Sequence, residues 1–177
     1  MASKATAIAT VVLRIFTILF AAGSVVVLIL DKATDVDGSK LTFKNVTAYR
    51  YVLATDVVAA AYCLLQLPFA IYYACTEKRL LRGDFLPAFD FYGDKLIAFL
   101  MATSVGAGFL VTVELKEFLG DLFKEFGADL KDSMFEGFFN KGYLAGGLLA
   151  GAFLCMAILS ILSSLQRTGI GSRGFFR

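Results

Sequence analysis

The sequence contains no histidine and no tryptophan, and it has only two prolines and three cysteines. Without histidine, a Ser-His or Cys-His nucleophile–base pair cannot form, and a zinc site built from cysteine and histidine is excluded as well. No cysteine lies in a long loop, which excludes an extracellular domain held together by disulfides. No glycine-rich loop precedes a Lys-Ser or Lys-Thr pair that would bind a nucleotide phosphate. We therefore expect no catalytic residues, no cofactor, no metal ion and no small-molecule substrate.

Charged residues are scarce as well. They make up 18% of the chain, whereas hydrophobic residues make up 58%, and the mean hydropathy is +0.74. An ordinary soluble domain has about a quarter charged residues and fewer than half apolar ones. The net charge of +2 gives no reason to expect nucleic acid as a partner. Because the apolar residues lie in long blocks, the composition predicts an integral membrane protein whose first partner is the lipid bilayer.

Four apolar runs are long enough to cross a bilayer as helices. A helix rises about 1.5 Å per residue, so a hydrocarbon layer of about 30 Å needs about 20 residues. The predicted spans are residues 11–30, 51–74, 91–113 and 143–165. The first run exceeds the length of a signal-peptide core and contains Arg14, so we interpret it as a retained span. We expect residues 1–177 to form one membrane domain, an all-α bundle of four transmembrane helices.

The longest connection, residues 114–141, has apolar residues at helical spacing among charged ones. This pattern predicts two short amphipathic helices, separated near Gly127, in the last extracellular loop. Basic residues are almost equally numerous on the two sides of the membrane and do not decide the orientation. The tail after Leu165 has three arginines and no acid, however, which favours the cytoplasmic side. We expect both termini in the cytoplasm.

Arg14 and Asp94 are the ionisable residues that most need a partner, because a charge inside a bilayer is costly. Arg14 is the fourth residue of the first predicted span, and Asp94 is the fourth residue of the third. Odd-numbered spans run in the same direction, so the two side chains lie at the same depth on the cytoplasmic side. The pattern predicts an intramembrane ion pair. The alternative is that each side chain reaches the lipid headgroups alone.

Small residues four positions apart allow two helices to approach closely in lipid. The fourth span carries two such GxxxG patterns, Gly142 with Gly146 and Gly147 with Gly151. Each pattern serves either packing inside one bundle or association between chains, and the two lie on adjacent faces of the helix. The sequence leaves both uses open.

Three further residues carry weaker predictions. Asn45 begins the glycosylation sequon Asn45-Val46-Thr47, only a few residues before the second span, and a glycan there requires the lumenal side. Cys75, at the inner end of that span, is a candidate for palmitoylation, with an unmodified thiol as the alternative. Asp56, near the outer start of the second span, has Lys141 as its candidate partner. An interfacial carboxylate in water is the alternative for Asp56.

Several stretches together resemble a known family. They are Arg14 in the first span, FYGDK around Asp94 in the third, and YRYVLATDVVAAAYCLLQLPFAIYYACTEKRLLRGDF in the middle of the chain. Over nearly the whole chain, the sequence is similar to the plant Casparian strip membrane domain protein-like (CASP-like) family, and closest to its fourth group. The resemblance implies a four-span, MARVEL-like architecture in which Arg14 and Asp94 are the family's characteristic Arg and Asp. The founding members form immobile plasma-membrane platforms that direct local cell-wall modification. This chain lacks their phenylalanine-rich first loop and the cysteines of their last loop.

The resemblance and the residues together predict a self-associating scaffold in the plasma membrane. Its partners would be further copies of the chain or other family members. The alternative is a small channel or transporter, which usually needs polar or ionisable groups near the middle of the membrane. The ionisable residues lie near the span ends here, and only Gln66, Thr103 and Ser104 lie deeper. This distribution favours the scaffold.

Overall fold

The computed structural model describes residues 4–34, 40–42, 45–76, 85–125 and 135–174. Its helices are α1 (Lys4–Leu30), α2 (Thr47–Thr76), α3 (Phe85–Glu125) and α4 (Phe135–Gly174). Two short strands, β1 (Lys32–Thr34) and β2 (Lys40–Thr42), lie between α1 and α2. Each of the four helices contains a stretch long and apolar enough to cross a membrane, which confirms the predicted four-span helical fold.

The helices form a closed ring. α1 packs against α2 and α4, and α3 packs against the same two helices, so α1 and α3 lie diagonally across the bundle. The centre is filled by one stripe from each helix, which includes Leu28, Ala59, Met101 and Leu149. Many large apolar side chains point outward instead, and Phe99 is 73% exposed. Such a surface is suited to lipid, which solvates apolar side chains as well as a protein core does.

The structure corrects the prediction of separate amphipathic helices in residues 114–141. α3 continues without a break to Glu125, and α4 already begins at Phe135. The helical spacing arises because Leu115, Leu119 and Phe123 pack against the core, while Phe118 is 65% exposed. The same spacing therefore describes an extension of a long helix. The predicted break near Gly127 lies outside the described residues.

The connection between α1 and α2 contains an antiparallel β-hairpin that the polar sequence of this segment did not predict. Lys32 pairs with Thr42, Ala33 with Leu41, and Thr34 with Lys40. β1 also contacts α4, so the hairpin lies against the bundle. We call this end of the molecule, where α1 ends and α2 begins, the hairpin end.

Candidate functional site

Arg14 of α1 and Asp94 of α3 meet inside the bundle. Arg14 Nη2 donates a hydrogen bond to Asp94 Oδ1 over 3.2 Å, and each side chain is only 2% exposed. Because α1 and α3 are diagonal to each other, the long arginine side chain crosses the centre of the ring. The same nitrogen lies 3.6 Å from Asp90 Oδ1, one helical turn before Asp94. Two acids of α3 thus share one arginine nitrogen.

α2 contributes two further residues, Tyr62 and Gln66, to this arrangement. The Tyr62 hydroxyl donates to Asp94 Oδ1 over 2.9 Å, and Gln66 Nε2 donates to the Tyr62 oxygen over 3.4 Å. The guanidinium carbon of Arg14 lies 5.6 Å from the centre of the Tyr62 ring, within range of a cation–π contact. We call the five residues the ionic cluster: Arg14, Tyr62, Gln66, Asp90 and Asp94.

Sequence reasoning missed three members of the ionic cluster, although a signal was present. Tyr62 and Gln66 are one helical turn apart in an apolar run, as are Asp90 and Asp94. Polar residues at this spacing share one helix face. They identify the side of each helix that carries polar groups, but they do not identify the partner across the bundle.

The close approach of Tyr62 explains why position 93, just before Asp94 in the FYGDK stretch, is a glycine. A Cβ at this position would lie 2.5 Å from the Tyr62 hydroxyl oxygen and 2.8 Å from a ring carbon. Real Cβ atoms do not approach so closely, so a larger residue would push Tyr62 away from Asp94. The glycine therefore lets α2 and α3 come close enough for the Tyr62–Asp94 hydrogen bond.

The ionic cluster is suited to holding helices together. Arginine remains protonated in proteins, so it exchanges no proton with the two carboxylates. Its Nε and Nη1 atoms form no hydrogen bond with any residue that the structure describes. Removing one partner of a buried ion pair strands the other charge and costs about 3–5 kcal/mol. The cluster thus connects α1, α2 and α3 through hydrogen bonds and ion pairs inside the bundle.

At the hairpin end, the structure contradicts the predicted pairing of Asp56 with Lys141. Lys141 Nζ lies 3.9 Å from Asp31 Oδ1 instead. Asp56 is 0% exposed, so the alternative of an interfacial carboxylate in water is wrong as well. Burial raises the pKa of Asp31 to about 7, although Lys141 acts in the opposite direction.

The four glycines of the GxxxG patterns face different surroundings. A Cβ at Gly142 would lie 2.7 Å from the Tyr49 hydroxyl oxygen, and a Cβ at Gly146 would lie 3.2 Å from the Phe109 ring. These two glycines serve packing inside the bundle. A Cβ at Gly151 would be 3.5 Å from the Phe20 ring of α1, an ordinary contact distance. A Cβ at Gly147 would meet no atom within 4 Å.

The two candidate modification sites are both accessible. Asn45 is exposed and lies two residues before α2 begins. Cys75 is an exposed free cysteine in the last turn of α2. Glycosylation of Asn45 and palmitoylation of Cys75 stay predictions.

Comparison with known proteins relates the chain to one group. Residues 3–126 match the Casparian strip membrane protein domain. CASP-like protein 4D1 of Ricinus communis is 41% identical over 165 residues, which cover 92% of each chain. CASP-like protein 4D2 of Arabidopsis thaliana is 40% identical over 155 residues, 86% of this chain and 85% of the relative. CASP-like protein 4D1 of Sorghum bicolor is 33% identical over 172 residues, 88% of each chain. No solved structure matches the chain.

Proposed function

Because the chain belongs to the CASP-like family of plant membrane proteins, in its 4D subgroup, we propose that it is a self-associating scaffold that organises a subdomain of the plasma membrane. In this proposal both termini lie in the cytoplasm, and the assembled platform guides local modification of the cell wall. Copies of the chain associate with one another or with other family members. The protein itself carries out no catalysis.

The observation that carries the proposal is the position of Gly147. Its backbone faces open space, and the neighbouring Leu144 and Leu154 on the outer surface of α4 are 56% and 59% exposed. Lipid gives helices no hydrophobic reason to associate, so close backbone contact at small residues is what holds them together. A bare backbone patch among exposed leucines therefore suits contact with a helix of a second chain.

α3 presents a second surface of the same kind. A Cβ at Gly106 would also meet no atom within 4 Å, and Phe99 and Leu110 on the same outer stripe are 73% and 60% exposed. Two self-associating surfaces on one molecule allow assembly beyond a dimer, because contacts that do not close on themselves extend into arrays. An extended array is what a membrane platform requires.

A small channel or transporter is the second candidate, and one observation favours it. Asp56 is fully buried in the bundle, so an ionisable group that was expected at the interface is shielded inside the protein. The charges of the ionic cluster are paired between α1 and α3, however, and Tyr62 of α2 is hydrogen-bonded to Asp94, which suits a static interior. A flux of ions into liposomes containing the purified protein would give preference to this second candidate.

Substitution of Gly147 tests the proposal that the protein is a self-associating scaffold. Gly147→Leu should fill the bare patch and shift the protein from oligomers to single bundles, because the added side chain prevents close backbone contact. The measurement is the mass distribution of particles extracted from membranes with their surrounding lipid. Leu154→Ile, on the same surface, is the matched control and should leave the oligomers intact. Monomeric wild-type protein, or a Gly147→Leu variant as oligomeric as the wild type, would contradict the proposal.

A further inference from the structure

Four buried side chains outside the ionic cluster carry oxygen atoms without a hydrogen-bond partner among the described residues, and one of them, Asp31, has Lys141 as its ionic partner. The other three lie inside the bundle. Asp56 of α2, Ser24 of α1 and Ser104 of α3 are each 0% exposed. Both carboxylate oxygens of Asp56 and both serine hydroxyls form no hydrogen bond with the described residues. Buried polar groups in proteins are almost always paired, and in a membrane no bulk water is available to replace the missing partner. These oxygens therefore need an occupant.

The three side chains lie at a similar depth. The Ser24 hydroxyl lies close enough to the Asp56 carboxyl to interact with it, but the two groups form no hydrogen bond with each other. α2 and α3 run antiparallel, and their register follows from residues in contact. These pairs are Tyr49 with Thr112, Tyr62 with Asp94, and Val52 with the Cβ position of Gly108. Together with the contact of Tyr51 with Thr103, the antiparallel register places Ser104 within about one to two helical turns of the depth of Asp56.

The charge of Asp56 has no counterpart in the part of the chain that the structure describes. Arg14 is engaged by Asp94 and Asp90, and Lys141 lies beside Asp31. Asp56 is nine residues into α2, which puts it about 13 Å along the helix from its start. An uncompensated carboxylate at this depth strongly destabilises the folded bundle. The missing occupant should therefore carry a positive charge.

We propose that Asp56, Ser24 and Ser104 bind a monovalent cation of the Na⁺ class inside the bundle. Carboxylate, hydroxyl and water oxygens are the ligands that hard cations prefer. One carboxylate balances one positive charge, whereas a divalent ion would leave an excess charge in the membrane interior. Ordered water molecules complete the coordination, as they do at other buried polar sites. The cation gives each of the unpartnered oxygens a partner.

The cation joins α1, α2 and α3, the same helices that the ionic cluster joins closer to the opposite end of the bundle. The site is independent of the proposed self-association, because its ligands face the interior of a single chain. The measurable consequence is that the folded protein is stabilised by the cation it binds.

Thermal unfolding of the full-length protein in lipid nanodiscs tests the site. At constant ionic strength, replacing choline chloride by NaCl should raise Tm in a saturable manner, by several degrees. Asp56→Asn should remove this dependence, and Ser104→Ala should move its midpoint to a higher Na⁺ concentration by about tenfold, the effect of losing one ligand of moderate strength. Ser163→Ala is the matched control, because within the part of the chain that the structure describes the Ser163 hydroxyl donates to the Ser160 backbone carbonyl. This control should behave like the wild type.

Equilibrium binding of radioactive Na⁺ to the same nanodiscs gives a readout that does not depend on stability. The expected result is about one ion per chain, lost in Asp56→Asn. Two results would overturn the proposal. One is the absence of any effect of Na⁺ or K⁺ on Tm together with no bound ion. The other is a wild-type protein stabilised only by acidification, in which case Asp56 holds a proton and not a cation.

Discussion

Arg14 uses a single nitrogen to contact both Asp94 and Asp90, so both carboxylates depend on it for charge compensation. Arg14→Ala should destabilise the fold by about 3–5 kcal/mol and reduce delivery to the cell surface, because two acids then lose their cation. Asp94→Ala should have an effect of the same order. The measurements are the unfolding temperature in nanodiscs and the surface fraction of a tagged protein.

Two further variants separate a buried ion pair from independent charges. Replacing both partners by apolar residues, Arg14→Met with Asp94→Leu, should recover most of the lost stability, since only Asp90, which is 30% exposed, is left without its cation. Asp90→Asn is the control and should cost less, because that side chain is 30% exposed. Wild-type behaviour of both single alanine variants would show that the two side chains act independently.

Asp31 makes stability depend on pH. Burial raises its pKa to about 7, whereas the ordinary value that it has in an unfolded chain is 3.8. The folded state therefore binds the proton more tightly, and this contribution to stability is present below pH 3.8 and is lost as pH rises through about 7. Asp31→Asn should flatten that part of the pH profile of Tm, and Lys141→Met should make it steeper. Identical profiles for wild type and Asp31→Asn would contradict this account.

At the scale of elements, the contact between α2 and α3 depends on a glycine. Gly93→Ala should place a methyl group against Tyr62 and cost about 1–3 kcal/mol, because the side chain must leave the position from which it donates to Asp94. In a Tyr62→Ala background the same substitution should cost little. Gly106→Ala is the matched control on α3, since its Cβ meets open space, and it should be neutral or stabilising. The unfolding temperature in nanodiscs measures the stability of Gly93→Ala, Tyr62→Ala, their combination and Gly106→Ala. If Gly93→Ala reduced stability equally with and without Tyr62, the contact between the two residues would be disproved.

The sequence predicted elements more reliably than the contacts between them. Apolar runs identified all four spans, because length and hydropathy are local properties. Equal depth of Arg14 and Asp94 followed from counting residues, and the structure shows the two in contact. Tyr62 could not be assigned in this way, because its contact with Asp94 depends on which helices are neighbours in the ring.

Two other features show where local patterns were insufficient. The amphipathic spacing after Val113 is the same for a separate helix and for an extension of α3, so the pattern alone could not distinguish them. Gly142 and Gly147 belong to similar motifs, but one faces the Tyr49 hydroxyl and the other faces open space. A motif gives the spacing of small residues, whereas the arrangement of all four helices decides which of them point outward.

At the scale of the whole molecule, the fold separates an interior fixed by paired polar groups from an exterior suited to other membrane components. The ionic cluster connects three helices, and the described outer surfaces of α3 and α4 each present a glycine to open space. A bundle held in one arrangement keeps those surfaces at a fixed angle to each other. Repeated lateral contacts at a fixed angle produce an ordered patch, which is the arrangement that a scaffold needs.

The lateral mobility of the protein in the plasma membrane of native cells tests the proposal of a scaffold most directly. A fluorescently tagged full-length chain should form patches in which single molecules are almost immobile, while Gly147→Leu reaches the same membrane and diffuses freely. The tag must not prevent surface delivery, which a co-expressed surface marker verifies. Wild-type molecules that diffuse as freely as an unrelated four-span monomer would contradict the account.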